Sequence, residues 1–349
     1  MFSQENKETS EIEVSFLHGN VMAHAEDLHH LVTGHPDGFL ISWSRKTFGA
    51  KEWQQAYNFP DYGTYFMFQD YKNEFIGKSY SVGFHYNFYF FKRHLQFKLA
   101  QGISLVSDPY DRVTNSKNRA FGTRIQANIN LGLNYKRDYL FDNFGVNAGL
   151  LFTHNSNGRT KSPNSGINTY LLQLGLNYNF DEIKERQRDT VPSVQTYKEP
   201  LRYIMVFRTG INESSIIRNG QEPFYHLSFY VDKRVGRKSA FQVGTELFLT
   251  NSFKNFIDYR AVAFPEKNVD PNTDYKRVGI MIGHELFINK LSIETQIGYY
   301  VYQPFDHDIA IYDRLGLKYY FTKNIFANAA LKTHLFKAEA LEFGFGVRL

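Results

Sequence analysis

The stretch Phe144-Gly145-Val146-Asn147-Ala148-Gly149-Leu150-Leu151-Phe152-Thr153-His154-Asn155-Ser156 reads with a period of two. Phe144, Val146, Ala148, Leu150, Phe152, His154 and Ser156 share one face of a strand. The other face carries Gly145, Asn147, Gly149, Leu151, Thr153 and Asn155. After a loop of Asn, Ser, Gly, Pro and basic residues the alternation resumes. Asn168, Tyr170, Leu172, Leu174, Leu176, Tyr178 and Phe180 make the apolar face, opposite Thr169, Gln173, Gly175, Asn177 and Asn179. His154, Ser156 and Asn168 therefore extend the apolar stripes of two consecutive strands, at the ends nearest their connecting loop. A hydroxyl and an imidazole at the end of a lipid-facing stripe point to a lipid substrate.

Upstream, the same alternation gives strands at about Glu13–Val21, Phe39–Ser44, Thr64–Tyr71, Ser79–Phe90, Leu95–Leu105 and Arg124–Asn134. A non-alternating connection, Phe48–Gly63, interrupts them. Downstream, eight further strands are expected at roughly 201–211, 224–234, 238–251, 274–288, 291–303, 309–322, 324–336 and 340–349. Connections alternate in length: Gly236-Arg237, Asn289-Lys290 and Thr322-Lys323 are tight, whereas Asn212–Glu222 and Asn251–Thr273 are long. Outer-membrane barrels put short turns in the periplasm and long loops outside. Counted from a periplasmic N-terminus, the loop between His154 and Asn168 is extracellular, while the long 48–63 link falls in the periplasm as an exception.

Composition agrees with this class. No apolar run approaches the roughly 18 residues of a membrane-spanning helix. Mean hydropathy is −0.43, yet aromatics reach 17% of the chain, with 33 Phe and 24 Tyr. Low hydropathy with alternating apolar faces marks a transmembrane β-barrel of the Gram-negative outer membrane. The absence of cysteine excludes disulfides, thiolate chemistry and Cys metal sites. A formal charge of +5 suits anionic surfaces, without the clustering expected of nucleic-acid binding. The start, Met1-Phe2-Ser3-Gln4-Glu5-Asn6-Lys7, lacks the basic and apolar regions of a signal peptide, so export is inferred from the barrel pattern alone.

Three segments result: residues 1–182 with eight strands, a charged linker or long periplasmic turn over 183–200, and residues 201–349 with eight more. The inward face of the C-terminal half holds Glu285, Glu294, Arg314, Lys318, Lys332, His334, Glu342 and Arg348. Such charges must pair or be wet. One antiparallel barrel of 14–16 strands is the expectation, with two eight-stranded barrels as the alternative.

Nucleophilic hydrolysis needs a hydroxyl, a base within hydrogen-bond reach and a group that orients the base. Residues i and i+2 of a strand lie about 7 Å apart on one face, so His154 and Ser156 can converge. Asn168 on the neighbouring strand can accept the imidazole N–H. The backbone at Asn157-Gly158 lies where oxyanion donors are needed, and Arg159 and Lys161 are placed to meet anionic groups of a substrate. By spacing alone, the same residues also suit polar positions where strands leave the membrane. His24, His29 and His30 with Glu26 and Asp27 match no defined metal-ligand spacing and read as an exposed loop.

The runs His154-Asn155-Ser156-Asn157-Gly158 and Pro163-Asn164-Ser165-Gly166-Ile167-Asn168 resemble the signature of PagL-type lipid A deacylases, a set also labelled acyloxyacyl hydrolase. The resemblance implies an outer-membrane barrel whose outer wall carries the site, with His154 as base, Ser156 as nucleophile and Asn157 in the oxyanion region. It implies a lipid A or lipopolysaccharide substrate among outer-membrane lipids, hydrolysis of an acyl ester and no cofactor. In that family a carboxylate follows the serine by twelve residues; here that position is Asn168. An Asn orients a neutral imidazole but offers no charge to an imidazolium. The family pattern is a single eight-stranded barrel and covers the N-terminal half. As a whole the chain also resembles longer Bacteroidota members, at Gly283-His284-Glu285-Leu286-Phe287 and Lys332-Thr333-His334. The competing expectation is a non-enzymatic barrel, a channel or a structural subunit, with an outer-membrane protein partner on the C-terminal half.

Overall fold

A computed structural model describes residues 9–180, 199–305, 307–335 and 337–349. Its first eight strands are β1 (Ser10–Met22), β2 (Asp37–Arg45), β3 (Asp61–Asp70), β4 (Lys78–Phe90), β5 (Leu95–Val106), β6 (Ile125–Phe141), β7 (Phe144–Ser156) and β8 (Ile167–Asn179). They form an antiparallel meander that closes on itself, with Val14 of β1 opposite Leu176 of β8 and Met22 opposite Asn168. A second meander comprises β9 (Arg202–Glu213), β10 (Gln221–Arg234), β11 (Ser239–Thr250), β12 (Arg277–Phe287), β13 (Leu291–Tyr302), β14 (Ile311–Tyr320), β15 (Ile325–His334) and β16 (Lys337–Arg348). It closes through β16 and β9, with Phe343 opposite Thr209.

The single 14–16-stranded closure expected from sequence is therefore not formed; the chain makes two eight-stranded barrels. The reason lies in the lumen. Eight strands leave an interior that side chains can fill, and the inward charges, expected to pair or be wet, pair across a narrow lumen. In the second barrel Arg314 donates to Glu246 at 2.6 Å and to Glu342 at 2.6 Å. Arg208 donates to Glu294 at 3.1 Å, Lys318 to Glu285 at 2.8 Å, and His226 meets Glu342 at 2.6 Å. In the first, Glu13 accepts from Lys98 at 3.0 Å and from Gln173 at 3.0 Å, and Lys136 pairs with Glu11. The expected 183–200 linker lies outside the described residues, apart from Glu199 and Pro200.

Outside and inside are reversed relative to a water-soluble protein. On β8, Leu174 is 61% exposed and the adjacent Gln173 is fully buried. Continuous belts of exposed Leu, Ile, Val, Phe and Tyr around both barrels are tolerable only where the surrounding solvent is hydrocarbon. No helix among the described residues is long and apolar enough to cross a membrane. The helices present are short and lie in connections. α1 (Glu52–Ala56) occupies the 48–63 link, and α2 (Ser252–Ala263) occupies the β11–β12 connection with Phe253, Phe256 and Ile257 packed near Phe305.

At one end of the first barrel the connections are long: residues 23–36, 71–77, 107–124 and 157–166. They are tied down by an apolar cluster including Leu28, Leu31, Tyr71, Ile76, Phe121 and Ile167. Asn118, fully buried, accepts the backbone N–H of Ala120 at 2.9 Å and of Phe121 at 3.0 Å, and its own amide donates to Phe75 O at 3.0 Å.

Replacing Arg314 by Met leaves Glu246 and Glu342 short of a buried partner. We expect a loss of about 3–5 kcal/mol in guanidinium unfolding of the micelle-inserted protein, and a smaller loss when both glutamates are changed to Gln at the same time.

Candidate active site

The β7–β8 hairpin sets the site by register. His154 stands directly opposite Asn168 across the ladder, so the two side chains emerge on the same face. Ser156, two residues on, shares that face by strand periodicity. The face is the outward one, continuing Leu150 and Leu172, which are 58% exposed each. The side chains meet as a relay: His154 Nε2 lies 3.0 Å from Ser156 Oγ, and His154 Nδ1 lies 2.5 Å from Asn168 Oδ1. Since the amide oxygen can only accept, the proton sits on Nδ1 and leaves Nε2 bare toward the hydroxyl. This is the tautomer a general base requires. His154 and Asn168 are half-buried and Ser156 is 5% exposed.

Gly166 makes room for the ring. It has φ +69°, and a Cβ there would lie 3.0 Å from Ser156 Cβ and 3.1 Å from His154 Cε1. Its amide donates to Ala120 O at 3.1 Å, and that of Ser165 to Arg119 O at 3.3 Å. The loop ordered by Asn118 thus carries the back of the site. Asn157 N–H donates to Asn164 Oδ1 at 2.8 Å, so this expected oxyanion donor is occupied by its own loop.

Sequence reasoning missed His24. Its Nε2 lies 2.9 Å from Ser165 O and its Nδ1 lies 3.2 Å from Asn168 Nδ2. A sequence separation of 144 hides this contact from any local pattern. Asp27, in the same His-rich segment, accepts from Ser165 Oγ at 2.8 Å.

Gly158, Arg159 and Lys161 lie in the segment 158–163, which groups by contact with the second barrel. There Ser162 N–H donates to Glu213 at 2.7 Å and its hydroxyl to Ser214 O at 2.7 Å. Burial lowers the pKa of Arg159, and the carboxylates of Asp308 and Glu339 act against it. Asp308, His334 and Glu339 hold three potential ligand atoms within 4.8 Å of one another. Glu339 already accepts from Lys332 and Arg277 at 2.5 Å each, and those charges oppose a cation. His334, Lys332 and Glu342, expected from sequence on the inward face, belong to this buried ion-pair network.

Residues 37–177 match the family model described as lipid A 3-O-deacylase (PagL). Residues 201–349 match that described as acyloxyacyl hydrolase, C-terminal domain. No curated protein matches the chain. Among solved structures, Neisserial surface protein A is 15% identical, covering 49% of this chain and 97% of its own, with a TM-score of 0.31. OccAB3 of Acinetobacter baumannii is 10% identical, covers 98% of each chain and has a TM-score of 0.23. Omp33 of the same organism is 9% identical, covers 98% of each and has a TM-score of 0.18. At such scores the barrel assignment rests on the strand ladders themselves.

A serine with a bare imidazole nitrogen at 3.0 Å is expected to react with a fluorophosphonate. Mass spectrometry should place the adduct on Ser156. His154→Ala should slow labelling by about 10²–10⁴-fold, and equal labelling of the variant counts against an activated nucleophile.

Proposed function

Because the chain belongs to the PagL-type lipid A 3-O-deacylase family of the bacterial outer membrane, we propose that it removes an ester-linked acyl chain from lipid A by Ser/His nucleophilic hydrolysis. The observation that carries this is the Ser156–His154–Asn168 relay on the outward face of the barrel wall. A substrate anchored in the bilayer reaches such a face by lateral diffusion, and the relay needs no lumen. The site also stands at the end with the longer connections, the end that strand counting assigns to the cell exterior.

In this reading Ser156 Oγ attacks the ester carbonyl carbon as its proton passes to His154 Nε2. The tetrahedral oxyanion collapses, the sugar alkoxide leaves and takes the proton from His154, and an acyl-serine remains. Water then adds to the acyl-serine as His154 again takes the proton; the second oxyanion collapses, Ser156 Oγ leaves and takes that proton back from His154, and the fatty acid is released. The oxyanion is assigned to the backbone N–H of Asn157, freed from Asn164, and of Gly158. Arg159 and Lys161 are kept as contacts for lipid A phosphates, and for Arg159 that role competes with Asp308 and Glu339. Asn168 in place of a carboxylate holds the tautomer but leaves the transient imidazolium unpaired, so a slower chemical step is expected than with a carboxylate there.

A channel is the less supported alternative. The described lumen of the second barrel is crossed by Arg208, Arg314, Lys318 and the glutamates they bind, all buried. That of the first is crossed by Lys98 and Lys136 with Glu13 and Glu11.

Two measurements follow. Lipid A from cells producing the wild-type protein should lose an acyl chain by mass spectrometry, whereas cells producing Ser156→Ala should keep it; identical acylation would remove the esterase reading. In planar bilayers the purified protein should show no stepwise conductance, and open-channel currents would favour the alternative.

A further inference from the structure

We propose that His24 is a positioning residue that fixes the amide of Asn168 with its oxygen toward His154. The inference rests on the Ser156–His154 site described above and concerns how this chain manages without a carboxylate at position 168.

A carboxylate presents an acceptor whichever way it turns. An amide does not: rotated by half a turn, Asn168 would offer NH2 to His154. The imidazole would then accept at Nδ1 and carry its proton on Nε2, facing Ser156 with a donor. A wrong tautomer at a Ser–His site costs on the order of 10⁴ in rate. Something must therefore make the two amide orientations unequal.

The proton inventory around His24 does so. Ser165 O lies 2.9 Å from His24 Nε2. A carbonyl can only accept, so Nε2 carries the proton. In the neutral ring Nδ1 is then a bare acceptor. The Asn168 atom 3.2 Å from it must accordingly be the NH2 group, which turns Oδ1 toward His154 Nδ1 at 2.5 Å. The Met22 carbonyl, 3.3 Å from His24 Nδ1, would favour the opposite tautomer. That tautomer would set two lone pairs against each other at the much closer Ser165 contact. Ser165 is itself held, by its hydroxyl on Asp27 Oδ2 at 2.8 Å and its amide on Arg119 O at 3.3 Å. The orientation of one amide is thus set from the opposite side of Asn168 to the chemistry, by a residue that touches neither Ser156 nor His154 through a hydrogen bond among those described.

The test uses the full-length protein in detergent micelles with hexa-acylated lipid A, following fatty-acid release, with Ser156→Ala as the reference for the esterase reading. His24→Asp keeps an acceptor toward Asn168 and should stay within about threefold of wild type. His24→Lys presents only donors, favours the inverted amide and should lower kcat by roughly tenfold or more with KM little changed. In an Asn168→Asp background, where position 168 accepts on both sides, His24→Lys should cost less than about threefold. Retention of heat-modifiable electrophoretic mobility excludes variants that fail to fold. Separately, 15N chemical shifts of His24 in its neutral form should show the Nε2–H tautomer. The assignment is overturned if His24→Asp is as impaired as His24→Lys, if the lysine is equally costly beside Asp at 168, or if His24 carries its proton on Nδ1. Should Ser156→Ala retain full activity, the esterase reading falls, and the tautomer measurement still decides the role of His24.

Discussion

A strand edge facing hydrocarbon finds no water to satisfy its N–H and C=O groups, and each unsatisfied group costs several kcal/mol. Every other feature of this chain is arranged around that constraint. β1 must find β8, and β9 must find β16, or each sheet would present a bare edge to lipid. Once each set of eight has closed, its lumen is narrow enough to be filled by side chains. The polar face of each described strand is then committed to the filled interior of its own barrel. That is why Arg314 is met by Glu246 and Glu342 from different strands. A guanidinium in such a place is tolerable only if carboxylates come to it.

In the proposed reading, filling the lumen displaces the chemistry to the outside. A bilayer-bound substrate is accessible only to groups on the outer wall, where most positions must stay apolar. The compromise is found at a strand end. His154 and Ser156 continue an apolar stripe by periodicity, but sit where the wall gives way to the connecting loop. Gly166 gives space to the ring, and the loop held by Asn118 supports Gly166 from behind. The geometry of the relay is thereby borrowed from the ladder rather than built by the loop.

Period-two alternation made the strands legible because the same rule governs both faces throughout. The strand expected at 291–303 is Leu291–Tyr302, and that at 324–336 is Ile325–His334. The meeting of His154, Ser156 and Asn168 was legible for the same reason, since it needs only a two-residue spacing and a hairpin. Closure was not legible. It depends on which distant strands pair, and eight or sixteen strands share one alternation pattern. The contact of His24 with Asn168 is equally non-local. Helix α2 could have been found inside the long 251–273 connection, where Phe253, Phe256 and Ile257 recur at helical spacing. The engagement of Asn157 N–H by Asn164 depends on loop conformation, which carries no periodic signal.

The pairing of His154 directly across from Asn168 has a further consequence for assembly. A strand that slips by one residue turns every side chain to the opposite face. A misregistered β7–β8 hairpin would therefore bury the imidazole in the lumen or strand the amide on the wrong side of the wall. It would abolish the relay even if the sheet still closed. If the relay is the hydrolytic site proposed above, activity is a direct report on register, and a barrel inserted out of alignment would be silent toward its lipid rather than indiscriminate.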